Sequence, residues 1–165
     1  MENSSSEVTR AFIDRAGAFL STEYLPKIEH CFEQLTDEQI WFRPNEASNS
    51  IGNLVLHLCG NARQWIVAGL GNNPDRRDRD SEFSRRDVIP RAALLEHLRS
   101  TLSEVDGVLE NLDPNVLLEI RTIQGKSVDV PEAVFHVTEH FSMHVGQVVY
   151  ITKLLSATDL HFYDL

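Results

Sequence analysis

Four long stretches of this chain repeat apolar residues at intervals of three and four, which is the spacing of one face of an α-helix. Only the segment 119–130, around Gln124-Gly125, alternates in a way that predicts a small β-hairpin. Helices with one apolar stripe each are stable when they bury those stripes against one another. We therefore predict one all-α domain over residues 1–165, a four-helix bundle with a long crossover connection. The predicted helices span about 7–35, 51–70, 90–111 and 131–156.

Polar residues and prolines mark where the predicted helices begin and bend. Thr36 and Gln39 have the spacing of a capping box and predict a short helix between the first two long ones. Asn49 or Ser50 is expected to cap the second long helix. Pro26 lies inside the first long pattern and predicts a kink there, because its ring removes a backbone donor.

The charge of the chain argues against nucleic acid and anionic membranes as partners, because both require a basic surface. The formal net charge is −10 at pH 7. Basic residues cluster only in DRRDRD and SRRD, within the crossover segment 75–87, where interleaved aspartates weaken their field. We interpret 75–87 as a solvated loop and expect a small molecule as the partner.

The shortness of the apolar runs predicts where the protein is located. No run approaches the roughly 20 apolar residues of a membrane span, and the N-terminal residues lack the apolar core of a signal peptide. We expect the cytoplasm. In that reducing compartment, Cys31 and Cys59 are expected to be free and buried.

The last long helix carries His136, His140 and His144 at successive intervals of four residues. His140 and His144 project about 40° apart, near the middle of the apolar arc of a helix that we predict to be mostly buried. Side chains four residues apart lie one above the other, so both imidazoles can reach one ion. Burying two imidazoles is unfavourable without a partner, and a metal ion is a partner for both.

The second long helix offers a third ligand, His57, on the flank of its apolar stripe beside Asn61 and Gln64. We predict that His57, His140 and His144 bind one divalent metal ion. Three histidines leave a fourth coordination position open for water or substrate, which is typical of a catalytic site.

Other polar residues are expected to surround these ligands. His136 is a candidate fourth ligand or simply a packed neighbour, but we favour a hydrogen-bonding role around the ligands. Asn61, Gln64 and Gln147 are candidates for the pocket wall or for hydrogen bonds to the ligands.

Other metal sites are disfavoured by counting ligands. His136-Val-Thr-Glu-His140 matches the H-x-x-E-H pattern of inverzincin proteases, but only Asp159 and Asp164 follow as downstream carboxylates. Di-iron bundles require two Glu-x-x-His pairs, and this sequence has none. Histidine is also a ligand of haem iron, so the ligand type does not exclude a haem bundle. A haem would require space between the helices, which histidines placed close enough to share one ion do not suggest.

Three motifs follow one another in a specific order. They are Leu35-Thr-Asp-Glu-Gln-Ile-Trp-Phe-Arg-Pro44, then Asn49-Ser-Ile-Gly-Asn-Leu-Val-Leu-His57 followed by Asn61 and Trp65, and finally His136-x3-His140-x3-His144-x-Gly-Gln147. Together they resemble the DinB/YfiT-like family of proposed metalloenzymes, over most of the chain. The resemblance implies a four-helix bundle, a zinc or nickel ion on the three histidines corresponding to His57, His140 and His144, and a homodimer.

The resemblance also implies an activity, because characterised relatives are S-transferases or isomerases that use low-molecular-weight thiols such as bacillithiol or mycothiol. In the first hypothesis, the metal holds such a thiol as a thiolate that attacks an electrophile, or holds hydroxide for hydrolysis. In the alternative, the protein is a non-catalytic, metal-binding helical dimer of stress-response type, and the metal contributes only to stability.

Overall fold

Four helical rods dominate the computed structural model, which describes residues 2–162. Met1 and residues 163–165 of the predicted domain lie outside the described residues. The all-α prediction is confirmed. In chain order the elements are α1 (Glu2–Ala18), a π-helical segment (Phe19–Tyr24), α2 (Leu25–Glu33), α3 (Asp37–Ile40), α4 (Ile51–Ala62), a second π-helical segment (Arg63–Ala68), α5 (Arg79–Ser84), α6 (Arg91–Glu110), a 3-10 turn (Pro114–Val116), β1 (Arg121–Ile123), β2 (Lys126–Val128) and α7 (Val130–Ser156).

The first rod is α1, the π-helical segment and α2, which follow one another without a break. It begins at Glu2, five residues before the predicted start. Pro26 lies in the first turn of α2, where its missing N–H is tolerated. The wider π-helical turns therefore lie directly upstream of the proline, where the sequence predicted a kink.

The predicted caps are present. Thr36 Oγ1 accepts a hydrogen bond from the Gln39 amide at 3.3 Å, and Gln39 Oε1 accepts one from the Thr36 amide at 2.8 Å. Ser50, and not Asn49, caps α4, and its Oγ accepts a hydrogen bond from the Asn53 amide at 3.1 Å. The Ser50 cap fixes the point at which α4 begins, and therefore the phase of its faces.

The apolar stripes of the four rods form one core, and α4 lies against both α6 and α7. Core side chains of the four rods include Ile28, Phe32, Leu54, Leu58, Leu98, Leu102, Val137 and Phe141. The prediction that the last helix is mostly buried is wrong for one face of α7. That face exposes Phe135, Met143, Tyr150 and Leu154. Among the described residues, no helix combines the length and apolarity required to cross a membrane.

The predicted hairpin is β1 and β2, which pair antiparallel. Gln124 and Gly125 form its turn with positive φ values of 53° and 73°, the conformation that a two-residue hairpin turn requires. Ile123 is buried against Gly69, where any larger side chain would overlap it. The hairpin is thereby held against the end of the second rod, which consists of α4 and the second π-helical segment.

The crossover segment 75–87 differs from the solvated loop that we predicted. It contains α5, whose first turn is capped by Asp78 through a 3.2 Å hydrogen bond from the Ser81 amide. Asn53 Nδ2 donates to the backbone carbonyl of Glu82 at 2.8 Å, which anchors α5 to α4. The prediction was wrong because the buried contacts of this segment are polar, and polar contacts leave no apolar periodicity in a sequence.

Candidate metal centre

His57 from α4 and His140 and His144 from α7 meet between the two helices. One nitrogen from each lies within 4.8 Å of those of the other two. The Nε2 atoms of His57 and His140 are 2.8 Å apart. In a tetrahedral zinc site, ligand nitrogens are about 3.3 Å apart, so a small adjustment of the rings would admit an ion. The three rings are steeply inclined to one another, with interplanar angles of 69° to 89°, so they do not stack.

His144 has one ring nitrogen available. Its Nδ1 lies 2.6 Å from Gln147 Oε1, and because an amide oxygen only accepts, Nδ1 carries the proton. The Nε2 atom is then an unprotonated acceptor. It is buried and has no hydrogen-bond partner among the described residues. A buried nitrogen lone pair without a partner fits a metal ligand.

His57 is oriented by a carboxylate. Its Nδ1 lies 2.9 Å from Glu82 Oε2, and both side chains are buried. Arg77 holds the same carboxylate through two hydrogen bonds, from Nε to Oε1 at 2.8 Å and from Nη2 to Oε2 at 2.9 Å. Burial raises the pKa of the Glu82 carboxyl, but the hydrogen bonds from Arg77 and His57 outweigh it and hold that pKa below its usual range.

The imidazoles on α7 are neutral at physiological pH. Burial, together with the nearby His144 and His57, lowers the pKa of His140 to about 3. Burial also lowers the pKa of His144, although its bond to Gln147 opposes this effect. Because a metal binds only the unprotonated ring, these two ligands would have no proton to lose on binding near pH 7.

His136 lies beside the ligand cluster and is not one of its three members. Its Nε2 is 3.1 Å from Asn61 Nδ2, and its ring stacks on His140 with 5.4 Å between centroids. The Trp65 ring covers it at 4.1 Å. Asn61 therefore contacts His136, which in turn contacts a ligand, whereas Gln147 contacts a ligand directly.

Gln64 has another position. It hydrogen-bonds to Asp75 at 2.6 Å, to Arg77 Nη1 at 2.9 Å and to Gln124 of the hairpin turn. Gln64 thus ties the crossover segment and the hairpin to the second rod, and reaches the histidines only through Arg77.

Sequence reasoning missed Arg77, Glu82 and Phe83. The Phe83 ring lies 4.6 Å from the His57 ring. Phe83 is the single apolar residue between positions 75 and 87. A lone aromatic residue in a charged segment was the one available signal that this segment contacts the core.

A cavity of about 820 Å³ lies next to the centre, between the second rod, α6 and the crossover segment. Its described lining includes Arg77, Glu82 and Gly60, and none of the three clustered histidines. Arg63 and His97 form another part of its wall. His97 is half-buried.

A family model described as "Protein of unknown function (DUF1572)" matches residues 7–164. The chain belongs to the DUF1572 family. No curated protein matches the sequence.

Two solved structures show which fold this DUF1572 member shares. A conserved protein from Enterococcus faecalis has a TM-score of 0.67 at 16% identity, over 93% of this chain and 98% of that one. A DinB-like protein from Bacillus cereus ATCC 10987 has a TM-score of 0.63 at 15% identity, over 81% of this chain and 87% of that one. The predicted resemblance is confirmed, and the fold is DinB-like.

Proposed function

We propose that this DUF1572 member is a divalent-metal-dependent enzyme, specifically a thiol-dependent S-transferase. The observation that carries the proposal is the cluster of His57, His140 and His144, in which the buried Nε2 of His144 has no hydrogen-bond partner among the described residues. Three imidazole ligands suit zinc and nickel, and we propose one of these ions.

The charge of the centre favours an anionic ligand. Its three histidines are neutral ligands, and the charge of Glu82 is offset by Arg77. A divalent ion held there would keep its positive charge and, with three protein ligands, one open position. When bound, the metal would lower the pKa of a coordinated thiol and hold it as a thiolate nucleophile.

The cysteines of the chain cannot supply that thiolate. Cys31 and Cys59 are free, and both are buried in the core. Burial raises the pKa of Cys59 to about 12 and also raises the pKa of Cys31. Because the thiolate is the reactive form, the proposal requires an external low-molecular-weight thiol, such as bacillithiol or mycothiol.

The experiment begins with protein purified without added metal. Elemental analysis is expected to find one zinc or nickel ion per chain, and consumption of electrophiles is expected to require both metal and thiol. His144→Ala should lose metal and rate while keeping its helical circular dichroism. Equal rates for the wild type and His144→Ala, with thiol and electrophile present, would exclude the enzyme proposal.

The second candidate is a non-catalytic, metal-binding homodimer. The exposed apolar face of α7, formed by Phe135, Met143, Tyr150 and Leu154, favours pairing with a second copy. Thermal melts with and without chelator separate the candidates. If the protein is the enzyme, we expect it to stay folded when a chelator removes the metal. Its free energy of unfolding should fall only by the contribution of metal binding, about 2.7 kcal/mol at a metal concentration 100 times Kd. Unfolding on chelation would favour the purely structural metal.

A further inference from the structure

We propose that Glu82 is a positioning residue that holds His57 in the tautomer that can bind a metal, and that Arg77 orients Glu82 for this role. The inference rests on the proposed metal centre and deepens it, because it makes the crossover segment 75–87 part of that centre. Three observations carry it: the contacts of His57 Nδ1, the burial of the ion pair, and the close approach that Gly60 permits.

The contacts of Nδ1 select a tautomer. Glu82 Oε2 lies 2.9 Å from this atom and Arg77 Nη2 lies 3.0 Å from it. A protonated Nδ1 donates to the carboxylate and leaves the Nε2 lone pair facing His140. The opposite tautomer would accept from Arg77, point a lone pair at the Glu82 oxygen, and place its proton on Nε2, where a metal would bind. Glu82 therefore favours the ligand form of His57, and Arg77 alone would favour the other.

Stability does not account for the ion pair. Side-chain exposure is 4% for Arg77 and 8% for Glu82. Removing two charges from water is expensive, and apolar residues of the same volume commonly stabilise a fold as well or better. A buried carboxylate with its acceptor aimed at a candidate ligand matches the carboxylate–histidine–metal arrangement, in which the carboxylate fixes the ring.

The fold holds Glu82 in place from α4 itself. Gly60 lies three residues after His57, and a Cβ there would overlap Glu82 Oε1. Glycine destabilises a helix relative to alanine, so the close approach of Glu82 is a reason for a glycine at this position. Asn53, fully buried, fixes the backbone of Glu82, and the Phe83 ring packs on His57.

The first test measures zinc affinity by competition with a chromophoric chelator. We expect Glu82→Gln, which keeps a weaker acceptor, to bind zinc about 10-fold more weakly than the wild type, and Glu82→Leu about 100-fold. Glu104→Gln is the matched control, because Glu104 forms the same two hydrogen bonds with Arg63 but does not contact His57. Its affinity should be unchanged. Wild-type affinity in folded Glu82→Gln and Glu82→Leu would overturn the proposal.

The second test reads the tautomer directly and does not depend on metal binding. The spectra are recorded on protein from which a chelator has removed any metal. The ¹⁵N–¹H correlations of the imidazoles should show His57 protonated at Nδ1 in the wild type and in Glu104→Gln. Protonation should shift towards Nε2 in Glu82→Leu, or in Glu82→Gln if Glu82→Leu does not fold. A wild-type His57 protonated at Nε2 would overturn the positioning role. If the wild type binds no metal but shows the Nδ1 tautomer, the proposed function fails and the role of Glu82 in setting the tautomer stands.

Discussion

Two arginine–glutamate pairs line the same cavity, with nearly the same geometry and different surroundings. Arg77 binds both oxygens of Glu82 at 2.8 and 2.9 Å, and Arg63 binds both oxygens of Glu104 at 3.1 and 2.8 Å. Side-chain exposure is 4% and 8% in the first pair, but 33% and 43% in the second. Only the first pair contacts a histidine of the candidate metal centre. Burial and this third contact, more than the geometry of the pair, decide what each pair contributes.

The largest expected difference between the pairs is in stability. Glu82→Leu should lower the free energy of unfolding by about 3 kcal/mol, because it leaves the Arg77 charge buried without a partner. Glu104→Leu should lower it by less than about 1 kcal/mol, because water solvates the remaining Arg63 charge. Urea unfolding of the two variants, after a chelator has removed any metal, measures both losses in the free energy of unfolding. Equal losses would mean that burial does not separate the pairs.

A double substitution sharpens the same comparison. Replacing the buried pair by Arg77→Met together with Glu82→Leu should recover about 2 kcal/mol relative to Glu82→Leu alone, because no unpaired charge remains. Zinc affinity should recover only in part, because no acceptor then holds the Nδ1 proton of His57. Urea unfolding and chelator competition report the two quantities separately. Full recovery of both would show that Glu82 matters only through the unpaired charge of Arg77.

Acid should also affect the pairs unequally. The pKa of Glu82 is lowered, since the bonds from Arg77 and His57 outweigh burial, and the bond from Arg63 lowers the pKa of Glu104. The ordinary pKa of a glutamate is 4.5. As pH falls below this value, the unfolded chain takes up protons before the native chain does. The stability that these ionised carboxylates contribute above pH 4.5 is therefore lost.

The acid effect is measured as the midpoint of urea unfolding of metal-free protein, followed from pH 7 to pH 3.5. Glu82→Gln should flatten the fall below pH 4.5, and Glu104→Gln should flatten it less, because solvent screens that exposed pair. A steeper fall in Glu82→Gln would contradict the ionised state of Glu82.

The smallest expected effect is that of salt. A double-mutant cycle with Arg63→Met and Glu104→Gln should give a coupling of about 0.2–1 kcal/mol at low salt, and this should largely vanish in 1 M NaCl, where the Debye length is about 3 Å. The corresponding cycle for Arg77 and Glu82 should change little, because both groups are buried. Equal sensitivity to salt would mean that water reaches the inner pair.

Much of the fold was predictable because helices repeat a local pattern. The four rods, the short helix after Thr36 and the hairpin at Gln124-Gly125 all depend on neighbours within a few residues. The start of α1 shifted to Glu2 because residues 2–7 contain no apolar residue and therefore no apolar periodicity. The exposed face of α7 was mispredicted because the presence of apolar residues does not specify what covers them.

The part of the candidate site that depends on spacing along one helix was predictable for the same reason. His140 and His144 lie on one helix, four residues apart, so their proximity is a local property. Gln147 contacts His144 for the same reason, one turn further along α7. His57 was inferred from the flank of its stripe and from the family resemblance, because no local rule states which face of α4 meets α7.

The sequence by itself determined the bundle and the pair of histidines on α7, because both follow from spacing along a single helix. The tertiary structure alone decided which residues set the tautomer of His57. Arg77 and Glu82 lie 20 and 25 residues from His57 along the chain and have no apolar neighbour except Phe83. Their alternating charges resemble those of a solvated loop. Asn53 anchors the backbone of Glu82 and Gln64 binds Arg77, and together these contacts hold the two residues as a buried ion pair. Burial of polar groups depends on such partners, which are distant in sequence.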